Sequence, residues 1–569
     1  MIKVLKRLLI SSFIILLLLI VVPFFIPLDK YKPEVESQLS VAMGRNVILS
    51  SLHLQILPTP ALTAKGIGIF GAGKTSGEMF VNRLEITPLF HKLLDNELVI
   101  QRIHLQGVAI NQAFLYSYAR QPRAAKDTSR VSIDKISATA VTLRMHDNTL
   151  LGPYQFTLLF NSQQRPNLFQ IARMDDAATI SVTRNNGDYQ LYAKAHNWTF
   201  PIRTHFHFNN LVAKGQLLHN QIHITNVSAQ AYGGSLQGPV TISWDPQWKI
   251  AGRLDVQSIS IEPFLRVLKG KGVTGKFSSD LAFDLTAPRF KKLLTAPHID
   301  GEFNITDGMI ARNNPARPVF RFDRFTGHGT LGDARFRVHN GIMETYGGTF
   351  YGEPEISWQQ GWHVYGKIEA QSIGIKPFLD VLGARGVTGK FSSIATIRLE
   401  APKFNRLIAK PYIDGDFRIT AGNISSTDPT HPVFRFDEFS GHGTLDTKQF
   451  STQYALLKAY GGIFSGDPRI SWQHEWAAGG HIKADAIDVG QLLAGFNDKK
   501  NITGSFTGEA DVMLAGVRFF DLLKKPSIDG QFRIKEGVFY KADLEKASTN
   551  LSKAGTTGGH TPFKEMRGN

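Results

Sequence analysis

The sequence predicts a mostly β protein. An N-terminal transmembrane helix leads into an elongated antiparallel body of β repeats that carries short amphipathic helices. Three observations predict this. One long apolar run opens the chain, most of the remainder alternates apolar with polar residues, and one block recurs three times at a fixed step.

Residues 8–26 carry no charge and are dominated by Leu, Ile, Val and Phe, among them Leu8, Phe13, Leu17, Ile20 and Phe24. About 19 residues of helix span the roughly 30 Å hydrocarbon core of a bilayer. Lys3, Lys6 and Arg7 precede the run and predict a cytoplasmic N-terminus. A cleaved signal peptide would have a shorter apolar region and a small-x-small site after it. Here Pro23-Phe24-Phe25-Ile26-Pro27 follows, which favours an uncleaved single-pass anchor over residues 1–30.

Residues 31–205 read as a β-rich domain. It opens with a short amphipathic helix in which Val35, Leu39 and Met43 recur at i+4 and Gly44 ends the helix. Strand-like runs follow at Val47-Ile48-Leu49, residues 52–57, 61–67 and 80–86, and from Leu98 to Ile110. Residues 117–130 are polar and basic and read as a loop. Further strand pieces lie at residues 141–145, 154–160 and 189–193.

Residues 206–541 hold the repeat. Tyr232-Gly233-Gly234 returns as Tyr346-Gly347-Gly348 and Tyr460-Gly461-Gly462, and Ile242-Ser243-Trp244 as Ile356-Ser357-Trp358 and Ile470-Ser471-Trp472, always at a step of 114 residues. Trp248, Trp362 and Trp476 keep that step. One residue inserted after Gln491 carries Ile299-Asp300-Gly301 and Ile413-Asp414-Gly415 on to Ile528-Asp529-Gly530. A period this long is a repeated structural unit whose copies share a core. Roughly six strands are predicted per copy, each of about 5–8 residues. Two short helices are predicted as well, one through Ile261, Phe264 and Leu265 and one through Phe290, Leu293 and Leu294. The Asp-Gly pairs read as a bulge or tight bend. Residues 542–569 read as a helix-like stretch, a Gly-rich linker and the start of a further β unit, with Phe563 in the place of Phe322.

Hydrophobic content of 42% excludes general disorder, and the absence of Cys excludes disulfides and thiolate metal sites. The net charge of +16 favours anionic partners, and no nucleic-acid-binding motif accompanies it. Residues 68–75 match the pattern of a phosphate-binding loop. The residues after them alternate like a strand, where the motif needs a helix. A Gly-rich hairpin loop is the reading, with no nucleotide. Asp300 with Glu302, and Asp414 with Asp416, set two carboxylates on one strand face, a glycosidase device. Copy three has Asp529 with Gln531, which breaks the pair, so solvated turn residues are preferred. His328 and His442 recur in Gly-His-Gly-Thr without partners at ligand spacing, so no metal and no cofactor is expected.

One apolar file runs through all copies. Leu281, Phe283 and Leu285 match Ala395, Ile397 and Leu399, then Ala510, Val512 and Leu514. Phe303 and Ile305 match Phe417 and Ile419, then Phe532 and Ile534. It reads either as a sandwich core closed by facing side chains or as an open groove for acyl chains. The residues leave both open.

The N-terminal stretch resembles the AsmA family, with its TamB- and YhdP-like relatives. The likeness rests on the basic-flanked apolar run, Leu28-Asp29-Lys30-Tyr31-Lys32-Pro33, Met43-Gly44-Arg45, Leu57-Pro58-Thr59-Pro60-Ala61-Leu62, Leu84-Glu85-Ile86, Pro88-Leu89-Phe90 and Leu98-Val99-Ile100. Ile528-Asp529-Gly530-Gln531-Phe532-Arg533-Ile534 and Thr561-Pro562-Phe563 are similar to the family's later region. The resemblance implies an inner-membrane anchor, a periplasmic β body and a part in outer-membrane biogenesis, and it favours the groove. The expectation is therefore a non-enzymatic, bridge-like phospholipid carrier. The alternative is a periplasmic scaffold that assists assembly of outer-membrane proteins. Because the family continues with a further β region, the chain is also expected to be short at its C-terminus.

Overall fold

A computed structural model describes residues 28–569 except 56–58, 72–76, 90–91, 93–97, 112–130, 145–149, 186, 200–205, 219, 245, 268–271, 312–317, 382–385, 404–405, 408–409, 426–432, 474, 496–501, 524–525 and 541–558; before Leu28 it describes residues 6, 10–12 and 14. The anchor residues Leu8, Phe13, Leu17, Ile20 and Phe24, and the helix-like stretch at 542–554, lie outside the described residues. Among the described residues no helix is long and apolar enough to cross a membrane. The chain forms two compact units, residues 1–231 with 236–249, and residues 232–235 with 250–569.

The first unit opens with a helix, α1 (Lys32–Met43), which starts with Pro near its first turn and ends at Gly44 with φ 62°. Glycine suits that left-handed position because it has no Cβ to clash. Val35 and Leu39 of α1 pack on a core of Val47, Leu49, Leu52, Ile67, Ile69 and Val81. The same segment satisfies the edge of the sheet. Glu36 accepts from the Leu49 amide at 2.6 Å, Ser40 from Val47 at 2.9 Å and Asp29 from Leu52 at 3.0 Å. Covering an edge in this way blocks its pairing with other chains.

Strands Asn46–Ile48 and Ser51–Gln55 both pair with Ala61–Phe70. That strand pairs antiparallel with Gly77–Pro88, in register from Leu62 opposite Ile86 to Ile69 opposite Met79, with a slip before Phe70. Gly68, Ile69 and Phe70 belong to the first of these strands, residues 72–75 of the motif lie outside the described residues, and Gly77–Pro88 is a strand where a phosphate-binding loop requires a helix. One pairing departs from the antiparallel expectation: Leu98–Asn111 runs parallel to Val131–Arg144. A parallel neighbour needs a crossover of about a dozen residues or more, and residues 112–130 are long enough to make one. From Val131–Arg144 onward the ladder is antiparallel through Leu150–Phe160, Pro166–Arg173, Ala178–Asn185, Asp188–Thr199, His207–Leu217 and Gln221–Ala231.

In the second unit the repeat reappears as a repeated register. Ile299 faces Leu331 as Ile413 faces Leu445. Val273 faces Ile310 as Val387 faces Ile424, and the third pair, Ile502 with Phe539, comes one residue late, as the insertion requires. The first copy has the six strands expected, from His207–Leu217 to Pro297–Ala311, and the second and third each count seven. The additional one arises because Gly348–Gly352 and Glu355–Ser357 are two pieces of one broken strand, flanked by the same two neighbours. Pro354 sits at the break, where it has no N–H to give the ladder. The break at Pro468 between Gly462–Gly466 and Arg469–Ser471 matches it.

The first predicted helix is present as α2 (Ile261–Val267), α3 (Lys376–Val381) and α4 (Val489–Ala494). The second is a 3-10 helix, at Phe290–Thr295 and Phe519–Leu523, and buries Leu293 and Leu522. The Asp-Gly pairs are not bends. Asp300 and Gly301 lie within the continuous strand Pro297–Ala311, whose register is regular there. A β-carbon on Gly301 would meet the carbonyl of Asp280 and the Cα of Leu281, and Gly415 and Gly530 stand in the same place. Close approach of the neighbouring strand, rather than turn chemistry, requires glycine there.

The bends lie elsewhere. Ser372 and Ala486 hold positive φ of 54° and 57° where the ladder slips between Ala370 and Ile373 and between Ala484 and Ile487. Bulges of this kind bend and twist a strand. Repeated in each copy, they curl the sheet. The curl is visible in one contact: Trp476 and Phe519 pack against Ile375 and Val387, together with Leu379, Phe391, Ile419 and Ile424. The strands Pro411–Ile424, Phe434–Leu445 and Gln449–Ala459 and one broken strand separate Val387–Ala401 from Trp476–Asp488. At about 4.8 Å per strand a flat sheet would hold the two strands roughly 24 Å apart. Phe391 shares a face with Ile397, and Ile419 shares one with Phe417, so this apolar face is the inside of the curl.

Candidate lipid-binding face

The sequence alternates along each repeat strand, and the two faces of the sheet therefore differ in kind. The inner face holds the apolar file. Phe303 and Phe417 are each 7% exposed and Ile534 is 6% exposed. Leu281, Phe283, Leu285, Ile305, Ile397, Leu399, Ile419, Val512, Leu514 and Phe532 are half-buried. Half-burial by same-sheet neighbours is what a face without a second sheet packed on it produces.

The aromatic side chains on this face are tied to glycines on the next strand. Phe303 stands opposite Gly327 and lies against Gly329, while Phe417 stands opposite Gly441 and lies against Gly443. Lacking a side chain, each glycine leaves room for a ring to lie across the strand. The rings then meet edge to face: Phe303 with Phe325 and Phe417 with Phe439, both at 5.0 Å between centroids. Phe506 stacks on Phe532 at 5.9 Å.

The outer face is mixed: exposed Tyr365, Ile394, Tyr454 and Leu456 stand among ion pairs such as Arg253–Asp280 at 2.8 Å, Arg337–Glu355 at 2.6 Å and Arg533–Glu565 at 2.8 Å. The paired carboxylates and the recurrent histidines, weighed separately in the sequence, come together here. His328 has Asp300 at 3.0 Å from Nε2 and Glu302 at 3.0 Å from Nδ1. Both carboxylates stabilise the imidazolium and raise its pKa, Asp300 first. His442 repeats the motif with Asp416 at 2.9 Å and Asp414 at 3.6 Å. Each ring nitrogen points at a different carboxylate, so the three groups do not converge on one point. Among the described residues no cluster of His, Asp and Glu could hold a metal ion.

Two further residues matter that sequence reasoning did not assign. Tyr346 and Gly347 have φ of 47° and 73° and form the two-residue turn from Arg335–Thr345 into Gly348–Gly352. Tyrosine is strained in that conformation. Its hydroxyl accepts from the Arg321 amide at 2.9 Å, and its ring meets Phe378 of α3 at 5.0 Å. Tyr460 makes the same bond to Arg435 at 3.2 Å. The identical recurrence of Tyr-Gly-Gly was the signal in the sequence. At the rim, Trp476 packs on Phe519 at 5.1 Å between centroids, edge to face.

Residues 1–116 match the family model of the AsmA family. The AsmA resemblance read from the sequence is shown over that stretch, which covers α1, the hairpin and the strand Leu98–Asn111. The repeats lie beyond it. No curated protein and no solved structure matches the chain.

Proposed function

We propose that this protein is a membrane-anchored, non-enzymatic lipid conduit of the cell envelope. In this reading residues 8–26 hold the chain in an inner membrane with the N-terminus in the cytoplasm. The β body stands in the periplasm, and phospholipid acyl chains move along the inside of the curled sheet toward an outer membrane. No cofactor, nucleotide or nucleic acid takes part.

One observation carries the proposal: the apolar file of three successive repeats lies on the concave face, half-covered, while the ion pairs stand on the convex face. The energetics fit. Each exposed CH₂ costs about 0.8 kcal/mol, so a long acyl chain in water costs on the order of 10 kcal/mol. A continuous apolar surface removes most of that cost and leaves headgroups hydrated. The AsmA match at residues 1–116 supports the envelope setting.

Photo-crosslinking side chains at Phe283, Phe417 and Phe532 test it in cells. Capture of phospholipid at all three is the expected result, with capture at Phe417 and Phe532 abolished by Phe283→Asp. A chain that folds and binds envelope proteins but never captures lipid would be a scaffold for outer-membrane protein assembly instead.

A further inference from the structure

The inner face is not uniform along the repeats. Its constant part is aromatic: Phe303, Phe417 and Phe532 recur unchanged. Its variable part lies on the strands Val273–Ala287, Val387–Ala401 and Ile502–Gly516. There Leu281 gives way to Ala395 and Ala510, and Phe283 gives way to Ile397 and then Val512. The neighbouring strand changes in the same sense: Ile250 becomes Val364 and then Ala478 at the matching positions. Val364 faces Leu399 and Ala478 faces Leu514, so this series shares the inner face.

Nothing beside these positions compensates. Leu281, Ala395 and Ala510 stand opposite Gly301, Gly415 and Gly530. Ile397 and Val512 stand opposite Gly366 and Gly480 on the other side. The neighbours on the opposite sides keep their size: Ile368 and Ile482 stand beside Ala395 and Ala510, and Ile299, Ile413 and Ile528 beside Phe283, Ile397 and Val512. The changes in the 281 and 283 series are therefore not made up by the strands they pair with.

We propose that Leu281 and Phe283 form the narrowest part of the apolar path, that the path widens from the first repeat to the third, and that these two positions select acyl chains by bulk. The proposal rests on the conduit reading. It names as ligands phospholipids with slender, straight chains, and as poorly accepted those with a bulky group on the chain.

The test uses the full chain in detergent micelles. It is offered phosphatidylethanolamine with straight saturated chains together with the same lipid carrying a pyrene at one chain end. Bound lipid is counted by native mass spectrometry. Leu281→Ala with Phe283→Val gives the first repeat the side chains of the third and is expected to raise the ratio of bulky to straight lipid by about fivefold or more. Ala510→Leu with Val512→Phe is expected to lower it, and Val512→Phe alone serves if the double variant does not fold. An unchanged ratio in folded variants that still take up straight-chain lipid overturns the constriction and leaves the conduit standing. Failure of the folded wild-type chain to take up either lipid overturns both.

Discussion

The ring of Phe322 lies across Gly308, in the space a β-carbon on that glycine would fill. The pair faces across two antiparallel strands beside the bulged Asp307, whose φ is 54°. Phe436 lies across Gly422 in the same way, and Phe563 across Gly537. The last strand, His560–Gly568, thus repeats the local packing of the earlier copies.

Gly308→Ala forces the ring to move and is expected to destabilise the second unit by about 1–3 kcal/mol, the usual cost of overpacking. A lower urea midpoint would register it. Adding Phe322→Ala should recover part of the loss, because the clash then has no partner. A double variant whose loss equals the sum of the two single losses would show that ring and glycine are not coupled.

The contact of Trp476 with the Ile375–Val387 core makes a second prediction. Trp476→Ala is expected to cost about 2 kcal/mol, below the usual value for a fully buried aromatic because the ring is half-exposed. Trp476→Ala and Ile375→Ala should be non-additive although a hundred residues separate them in sequence. Changes that add within about 0.5 kcal/mol in a double-mutant cycle would mean that the two rims do not touch.

His328 supplies a pH dependence. Its pKa is raised by Asp300 and Glu302 in the folded state. The stabilisation is therefore complete below the unfolded value of about 6.5 and is lost as pH rises through the higher folded value. The group is about a third exposed, so the effect is small, less than about 1 kcal/mol. Titration followed by NMR should place the His328 midpoint above that of an ordinary histidine, and Asp300→Asn with Glu302→Gln should bring it down. A His328 midpoint that the double variant leaves unmoved would contradict the geometry.

Strand periodicity, the repeat and the inner file were legible because each is a local pattern. Alternation places Phe283 and Leu285 on one face whatever the strand later pairs with, and a repeat of 114 residues forces equivalent registers. Tyr-Gly-Gly was visible as a recurrence but not as a left-handed turn, because its strain is balanced by the distant Arg321 amide and Phe378 ring. The Asp-Gly pairs misled for a related reason. In isolation they carry turn chemistry, but the Asp280 carbonyl and Leu281 on the next strand decide what Gly301 is for.

The sequence by itself determined the strands, their faces, the order of the copies and the match of residues 1–116 to the AsmA family. All of these follow from side-chain chemistry at short range. Tertiary structure alone decided that His328 lies between Asp300 and Glu302 and that Leu98–Asn111 runs parallel to Val131–Arg144. It alone turned the apolar file to the inside of a curl closed by Trp476 against Ile375. The physical reason is that curvature accumulates from small bends at Ser372, Ala486 and their equivalents, and a sum of bends is a property of the whole sheet.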